Sequence, residues 1–198
     1  MSTFFLNRLT TEPHALAFAG QSTPWPVALA DQTTDPSLDE ALRGHVAAAN
    51  RLLAPAAADL LATTGRPVDL FGFTPNPARL SAAADATASV EGVALTQLGA
   101  LLDLEHLGYS VAAAKPVAVL GHSQGVLAVH MTRAIEAAGS IEAAGKTLDE
   151  ILAVAALIGA AGTRRVRELG LNPKYGEASP MLSVKGATRE QVEALVKR

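Results

Sequence analysis

The stretch that decides the fold is Pro116-Val117-Ala118-Val119-Leu120-Gly121-His122-Ser123-Gln124-Gly125-Val126-Leu127-Ala128-Val129. Four consecutive apolar residues run into Gly-His-Ser-Gln-Gly, and a long alanine-rich apolar segment follows. The pattern is G-x-S-x-G in the setting it requires, a buried strand before it and a helix after it. A serine that presents Oγ at the mouth of a sheet sits on a sharp strand-to-helix turn. Glycines two positions to either side leave room for strand and helix to approach. Gln124 then offers its backbone N–H at the start of a helix, where an oxyanion can bind. Ser123 is therefore the candidate acyl-accepting nucleophile. A pentapeptide of this kind also arises by chance in a chain rich in Gly and Ala. The flanking apolar runs favour the catalytic reading, and the pattern alone does not separate hydrolases from acyltransferases.

The chain has 198 residues, of which 49% are hydrophobic and 18% charged, enough apolar material for a well-buried core. A net charge of −3 offers no basic face for nucleic acid. No apolar run approaches the roughly 20 residues of a membrane span, and the N-terminus lacks the features of a secretory signal. The absence of cysteine excludes disulfides, thiol catalysis and cysteine-ligated metals within the sequence, and fits a reducing, cytoplasmic setting. No metal site is expected.

Taken in order, the sequence predicts a short helix near Phe4 to Leu9 and a strand over His14 to Ala19 that ends at Gly20-Gln21. Pro24 and Pro26 around Trp25 mark a loop or a helix start. Apolar spacing from Asp39 to Leu61 suits helices interrupted at Pro55. Gly65 to Arg79, with Pro67, Pro75 and Pro77, reads as a connector carrying Phe71 and Phe73 onto the core. Ser81 to Gly108 predicts one or two helices broken near Glu91-Gly92. After the elbow helix, Thr147 is the expected N-cap of a helix running to about Leu169. Its middle, Ile151 to Ala161, is expected to be buried. Met181 to Val184 predicts a strand, and Thr188-Arg189-Glu190-Gln191 a capping box for a last helix. A lone strand and helix cannot bury their own faces, so the chain is expected to stop in mid-fold.

A serine nucleophile needs a base, usually a histidine held by a third group. Of His14, His45, His106, His122 and His130, only His130 follows Ser123. It lies about 10 Å farther along the elbow helix and points to no return to Oγ. His122 adjoins the serine, where neighbouring side chains diverge. The nucleophile is present and its base is not among these residues. At the end of the first strand, Phe18-Ala19-Gly20-Gln21-Ser22 makes a turn that can aim a second backbone N–H at the same point as Gln124, although an ordinary strand-to-loop turn has the same sequence.

Phe18-Ala19-Gly20-Gln21, Thr96-Gln97 and Gly121-His122-Ser123-Gln124-Gly125 together resemble acyl-carrier-protein acyltransferases. The likeness is to the N-terminal acetyltransferase domain of actinobacterial type I fatty acid synthases, and takes in Ala17 to Trp25, Gly92 to Leu98, Val117 to Val129, Leu157 to Thr163 and Pro180 to Val184. The resemblance implies an α/β class: an α/β-hydrolase-like large subdomain with a parallel sheet flanked by helices, residues 1–179, and the first β-α unit of a ferredoxin-like small subdomain, residues 180–198. It implies Ser123 as nucleophile and the Gln21 and Gln124 amides as oxyanion hole. Acetyl-CoA is then the substrate, with no cofactor bound by the domain itself. The acceptor is the phosphopantetheine thiol of the acyl carrier domain, and the other fatty acid synthase domains are partners. The family's catalytic histidine lies in a later segment, and no position here matches it. Where the family commonly has a second glycine after the glutamine, this chain has Ser22.

Malonyl-selective relatives carry an arginine in the helix after the elbow helix, a bidentate clamp for the free carboxylate. The matching position here is Ile158, placed with His122 in the acyl pocket. A buried apolar residue there leaves a malonyl carboxylate unpaired and favours a neutral acyl group. Two other readings share the elbow: a serine esterase or thioesterase, and a non-catalytic structural fragment of a megasynthase.

Overall fold

A computed structural model of the chain describes residues 8–9, 11–20, 25–64, 86–168 and 188–196. They form two compact units, Met1–Thr163 and Arg164–Arg198. The architecture is α/β and mostly helical. The expected short helix near Phe4, the connector at 65–79, the loop at 170–179 and the strand at 181–184 fall wholly or mainly outside the described residues.

The first unit is organised by two parallel strands, β1 (Ala15–Phe18) and β2 (Ala118–Gly121), in register Ala15 to Ala118 and Phe18 to Gly121. Strands so paired need a crossover between them, and the described part of it is helical. The ladder extends past both strands: the Val117 amide donates to His14 O at 2.9 Å and the His122 amide to Phe18 O at 3.0 Å. The elbow thus begins while its backbone is still bonded to the end of β1. The start of β1 is pinned by His14. Its Nδ1 lies 2.9 Å from the Glu12 carbonyl, which can only accept, so Nδ1 carries the hydrogen and Nε2 accepts from the Tyr109 hydroxyl at 2.6 Å. Burial pushes the Tyr109 phenol up from its usual range, helped by the negative charge of Glu136.

Around the strands lie α1 (Trp25–Gln32), α2 (Pro36–Leu53), a 3-10 turn (Ala54–Ala56), α3 (Ala57–Thr64), α4 (Ala86–His106), α5 (Val111–Ala114), α6 (Gly125–Ala138) and α7 (Gly145–Glu168). Asp35 caps α2 by accepting from the Ser37 and Leu38 amides, with Pro36 in the first turn where its missing N–H is harmless. Leu38, Leu42, Val46, Ala49 and Leu53 form its buried stripe. Pro55 interrupts the helical run, as its sequence implies.

The central element is α4. Every residue from Ser89 to Gly99 is buried, so the helix is packed on all sides, and α1, α2 and α6 pack around it. The expected break at Glu91-Gly92 does not occur. Gly92 is there for close approach: a Cβ on it would run into the Trp25 ring, which lies directly on the α4 backbone.

Helix α7 departs from expectation twice. It begins before Thr147, because the preceding turn is already helical. Ser140 Oγ accepts from the Ala143 amide, and the Ala144 and Leu148 amides bond four residues back to Ser140 O and Ala144 O. Ser140 thus caps the turn that leads into α7, and Thr147 lies inside the helix rather than at its start. Its apolar middle is also only half buried. Leu152, Ala153, Ala155, Ala156 and Ala160 face the core, while Val154, Leu157 and Ile158 are exposed.

In the second unit the described residues include α8 (Arg189–Val196). Its capping box is formed as the sequence implies: the Thr188 amide donates to Gln191 Oε1 at 2.8 Å, and the Gln191 amide to Thr188 Oγ1 at 3.4 Å.

Candidate active site

The chain leaves β2 at Gly121 and enters α6 at Gly125, so three residues make the turn. Ser123 is the middle one, and its φ is +54°. A residue with a Cβ pays to occupy the left-handed region, and such cost concentrates where a side chain must be presented. The turn is closed by the Gly125 amide on His122 O at 2.9 Å and the Val126 amide on Ser123 O at 3.1 Å. Glycine on both sides is a matter of space. A Cβ on Gly121 would strike the Gly125 carbonyl, and one on Gly125 would strike the Phe18 carbonyl. Strand end, elbow and helix start are therefore in direct backbone contact.

The third glycine brings β1 to the serine. A Cβ on Gly20 would lie 2.7 Å from His122 O, 2.8 Å from Ser123 Cβ and 3.4 Å from Ser123 Oγ. The end of β1 thus forms one wall beside the Ser123 side chain, which is solvent-exposed. Gln21, the next residue, lies outside the described residues. Gln124 has φ −62° and ψ −17°, the helical region, at the head of α6. Among the described residues its amide enters no backbone hydrogen bond, as expected of the first donors of a helix. Two further sequence expectations are located. The His122 ring is exposed, and its backbone holds the ladder and the turn. Ile158, expected to be buried, is 49% exposed on the outer side of α7, so burial alone cannot supply the argument against a charged acyl group.

No described histidine hydrogen-bonds to Ser123. His14 is committed to Glu12 and Tyr109. His45 Nδ1 lies 2.7 Å from Asp149 Oδ1, a half-buried pair that joins α2 to α7. The spacing of either residue gave no sign of that pairing.

Sequence reasoning gave no role to the side chains of Thr96 and Gln97. Gln97 is 8% exposed on α4, and its Nε2 donates to the Ala19 carbonyl at 2.6 Å, one residue before Gly20. Among the described residues its Oε1 is buried without a partner. Two adjacent polar residues within the apolar run from Val93 to Leu102 were the available signal.

The described elements define an α/β protein whose serine stands on a glycine-flanked strand-to-helix elbow, with a second strand end against it. A family model described as "SAT: Starter unit:ACP transacylase in aflatoxin biosynthesis" matches residues 78–198, more than half of the chain. The chain belongs to that family of acyl-carrier-protein transacylases. The match takes in α4, the elbow and α7, and begins downstream of Gly20-Gln21. No curated protein and no solved structure matches the chain. Among the described residues no helix is long and apolar enough to cross a membrane.

Proposed function

We propose that this chain loads a neutral starter acyl group, acetyl first, from acyl-CoA onto the phosphopantetheine thiol of an acyl carrier domain, as the priming step of a fatty acid synthase. The observation that carries the reading is the elbow: Ser123 held at φ +54° with Gly20 packed against its side chain. Family membership supports the reaction class. The fatty acid synthase setting, and the division into a large subdomain over 1–179 and a ferredoxin-like start over 180–198, rest on the sequence resemblance.

In this reading Ser123 Oγ attacks the thioester carbonyl carbon. The oxyanion forms opposite the backbone N–H groups of Gln21 and Gln124, donors that gain most when charge develops. The C–S bond breaks, CoA leaves as the thiol, and the serine proton is accounted for on its sulfur. The carrier thiol then attacks the serine ester, and Ser123 leaves with a proton restored to Oγ. We assign the base that moves these protons to no residue of this chain. Ile158 supports a neutral acyl group by side-chain chemistry, since it offers no cation to a free carboxylate.

The test is intact-mass and peptide mass spectrometry after incubation with acetyl-CoA and, separately, malonyl-CoA. An acetyl adduct on Ser123 that is absent from Ser123→Ala and discharges to a phosphopantetheinylated carrier domain is expected. An adduct elsewhere, or ester hydrolysis with no CoA dependence and no Ser123 adduct, overturns the reading.

A further inference from the structure

The residues between Ala19 and Trp25 join β1 to α1, and in the transfer reading they include the Gln21 amide. Both flanks of that segment are tied to two adjacent residues of the buried helix α4. On the upstream side, Gln97 Nε2 donates to the Ala19 carbonyl at 2.6 Å. On the downstream side, Thr96 Oγ1 lies 3.3 Å from the Trp25 carbonyl and 2.8 Å from Gly92 O, so its one hydrogen is shared between two acceptors. The Trp25 ring lies on the α4 backbone at Gly92. Between the two ties, Gly20 is packed on Ser123.

The polarity of this pair is unexplained by packing. Thr96 and Gln97 are each 8% exposed, and on either side of them lie Val93, Ala94, Leu95 and Leu98, all buried. A leucine or methionine at Gln97 would fill similar space without leaving a carbonyl oxygen buried and unpartnered, as Gln97 Oε1 is among the described residues. What Gln97 alone supplies is the donor that fixes Ala19 O. Helix α4 is buried without interruption from Ser89 to Gly99 and takes α1, α2 and α6 against it. It can therefore serve as the fixed reference for the turn.

We infer that Thr96 and Gln97 are positioning residues: a two-pronged staple that holds the end of β1 at Ala19 and the start of α1 at Trp25, and so sets where Gly20 stands relative to Ser123. The inference rests on the transfer reading above, because without an oxyanion at Ser123 there is nothing for the staple to position. Neither side chain touches the acyl group.

A positioning role and a merely structural one separate by the kind of reaction they affect. Thioester attack creates an oxyanion; alkylation of a thiol by iodoacetamide does not. These 198 residues contain no cysteine, so Ser123→Cys supplies the one alkylation site within them, and its labelling is read at position 123 by peptide mass spectrometry. In the full-length protein, Gln97→Met is expected to slow acylation of Ser123 by acetyl-CoA by about tenfold or more, the effect of a small misplacement at a reacting centre. The acetyl-CoA concentration for half-saturation and the alkylation rate of Ser123→Cys/Gln97→Met should stay unchanged. Thr96→Val, which keeps shape and loses the hydroxyl, should act in the same direction more weakly, and carries the test if Gln97→Met does not fold. Acylation at the unsubstituted rate overturns the staple, and so does an equal fall in acylation and alkylation, which marks general loosening of the fold. If the unsubstituted protein forms no Ser123 adduct, the transfer reading fails first, and that outcome is visible without any α4 variant.

Discussion

Replacing Gly20 by alanine tests the geometry at the point where β1 meets the elbow. The φ of Gly20 lies outside the left-handed region, so the added methyl brings steric conflict alone. The new Cβ would stand 2.7 Å from His122 O and 2.8 Å from Ser123 Cβ. Comfortable carbon contacts lie near 3.5–4.0 Å, so β1 and the elbow must separate by roughly 1 Å. Overpacking of this kind costs about 1–3 kcal/mol, which a domain of ordinary stability survives folded. The catalytic loss should be larger than the thermodynamic one. A displacement of about 1 Å between nucleophile and oxyanion donor is expected to lower the acylation rate by about a hundredfold, close to 2.7 kcal/mol of barrier. The assay pairs a thermal or denaturant melt with quenched-flow mass spectrometry of Ser123 acylation under conditions where the variant is fully folded. An acylation rate equal to that of the unsubstituted protein would refute the reasoning, because it would mean that the wall at Gly20 does not bear on the reacting atoms.

Four other outcomes are expected. Gly44, mid-helix in α2 and exposed, has nothing within 4 Å of an added Cβ, so Gly44→Ala should raise stability by about 0.5–1 kcal/mol in a urea melt. Hydrogen bonds from the Ser37 hydroxyl and then the Leu38 and Ser37 amides hold the Asp35 carboxyl below its usual range, and the contribution of the His106 charge is smaller. A carboxyl depressed in the folded state contributes stability above its unfolded pKa and loses it as pH falls through the folded value. The melting-temperature deficit of Asp35→Ala should therefore be full at neutral pH and vanish under strongly acid conditions; a constant deficit would contradict the cap. Ile158→Arg, on an exposed helix face that accepts a cation without burial, should raise the malonyl-to-acetyl transfer ratio, and equal ratios from paired thioester assays would remove Ile158 from the acyl pocket. Ser123→Gly should melt higher than Ser123→Ala by up to about 1 kcal/mol, since glycine occupies φ +54° without a Cβ; no difference would argue against strain at the elbow.

The features legible in the sequence are those whose causes are local. The elbow was legible because glycine spacing and two apolar runs are all that a strand-to-helix turn needs, and β1, the helical spacing of Leu42, Val46, Ala49 and Leu53 within Asp39 to Leu61, and the Thr188 box follow from neighbouring residues in the same way. The errors have long-range or competing causes. Gly92 read as a breaker because its partner, Trp25, is distant in sequence and reaches it only in the fold. Thr147 read as a cap because the turn begun by Ser140 uses backbone carbonyls that composition does not reveal. The middle of α7, Ile151 to Ala161, is apolar on every side, so periodicity could not say that Val154, Leu157 and Ile158 would face outward. The His45–Asp149 pair was invisible for the same reason as the Trp25–Gly92 contact: each partner is ordinary on its own helix.

The same distinction explains why the candidate nucleophile was easier to find than what orients it. Ser123 announces itself because a left-handed non-glycine residue needs glycines near it, and those glycines are written into five consecutive positions. The wall beside it comes from a different strand, and the donor that fixes this wall comes from a third element, α4. No spacing rule links Gly20, Gln97 and Ser123, because the parallel crossover that unites them is set by packing of the whole helical layer. A hydrogen bond from a buried glutamine is conspicuous only after its surroundings are known to be apolar. Buried polar side chains of this kind, satisfied on one atom and orphaned on the other, are where a folded structure adds most to a motif. At this elbow that added information moves the question from whether a serine is exposed to what holds the end of β1 at Gly20 against it.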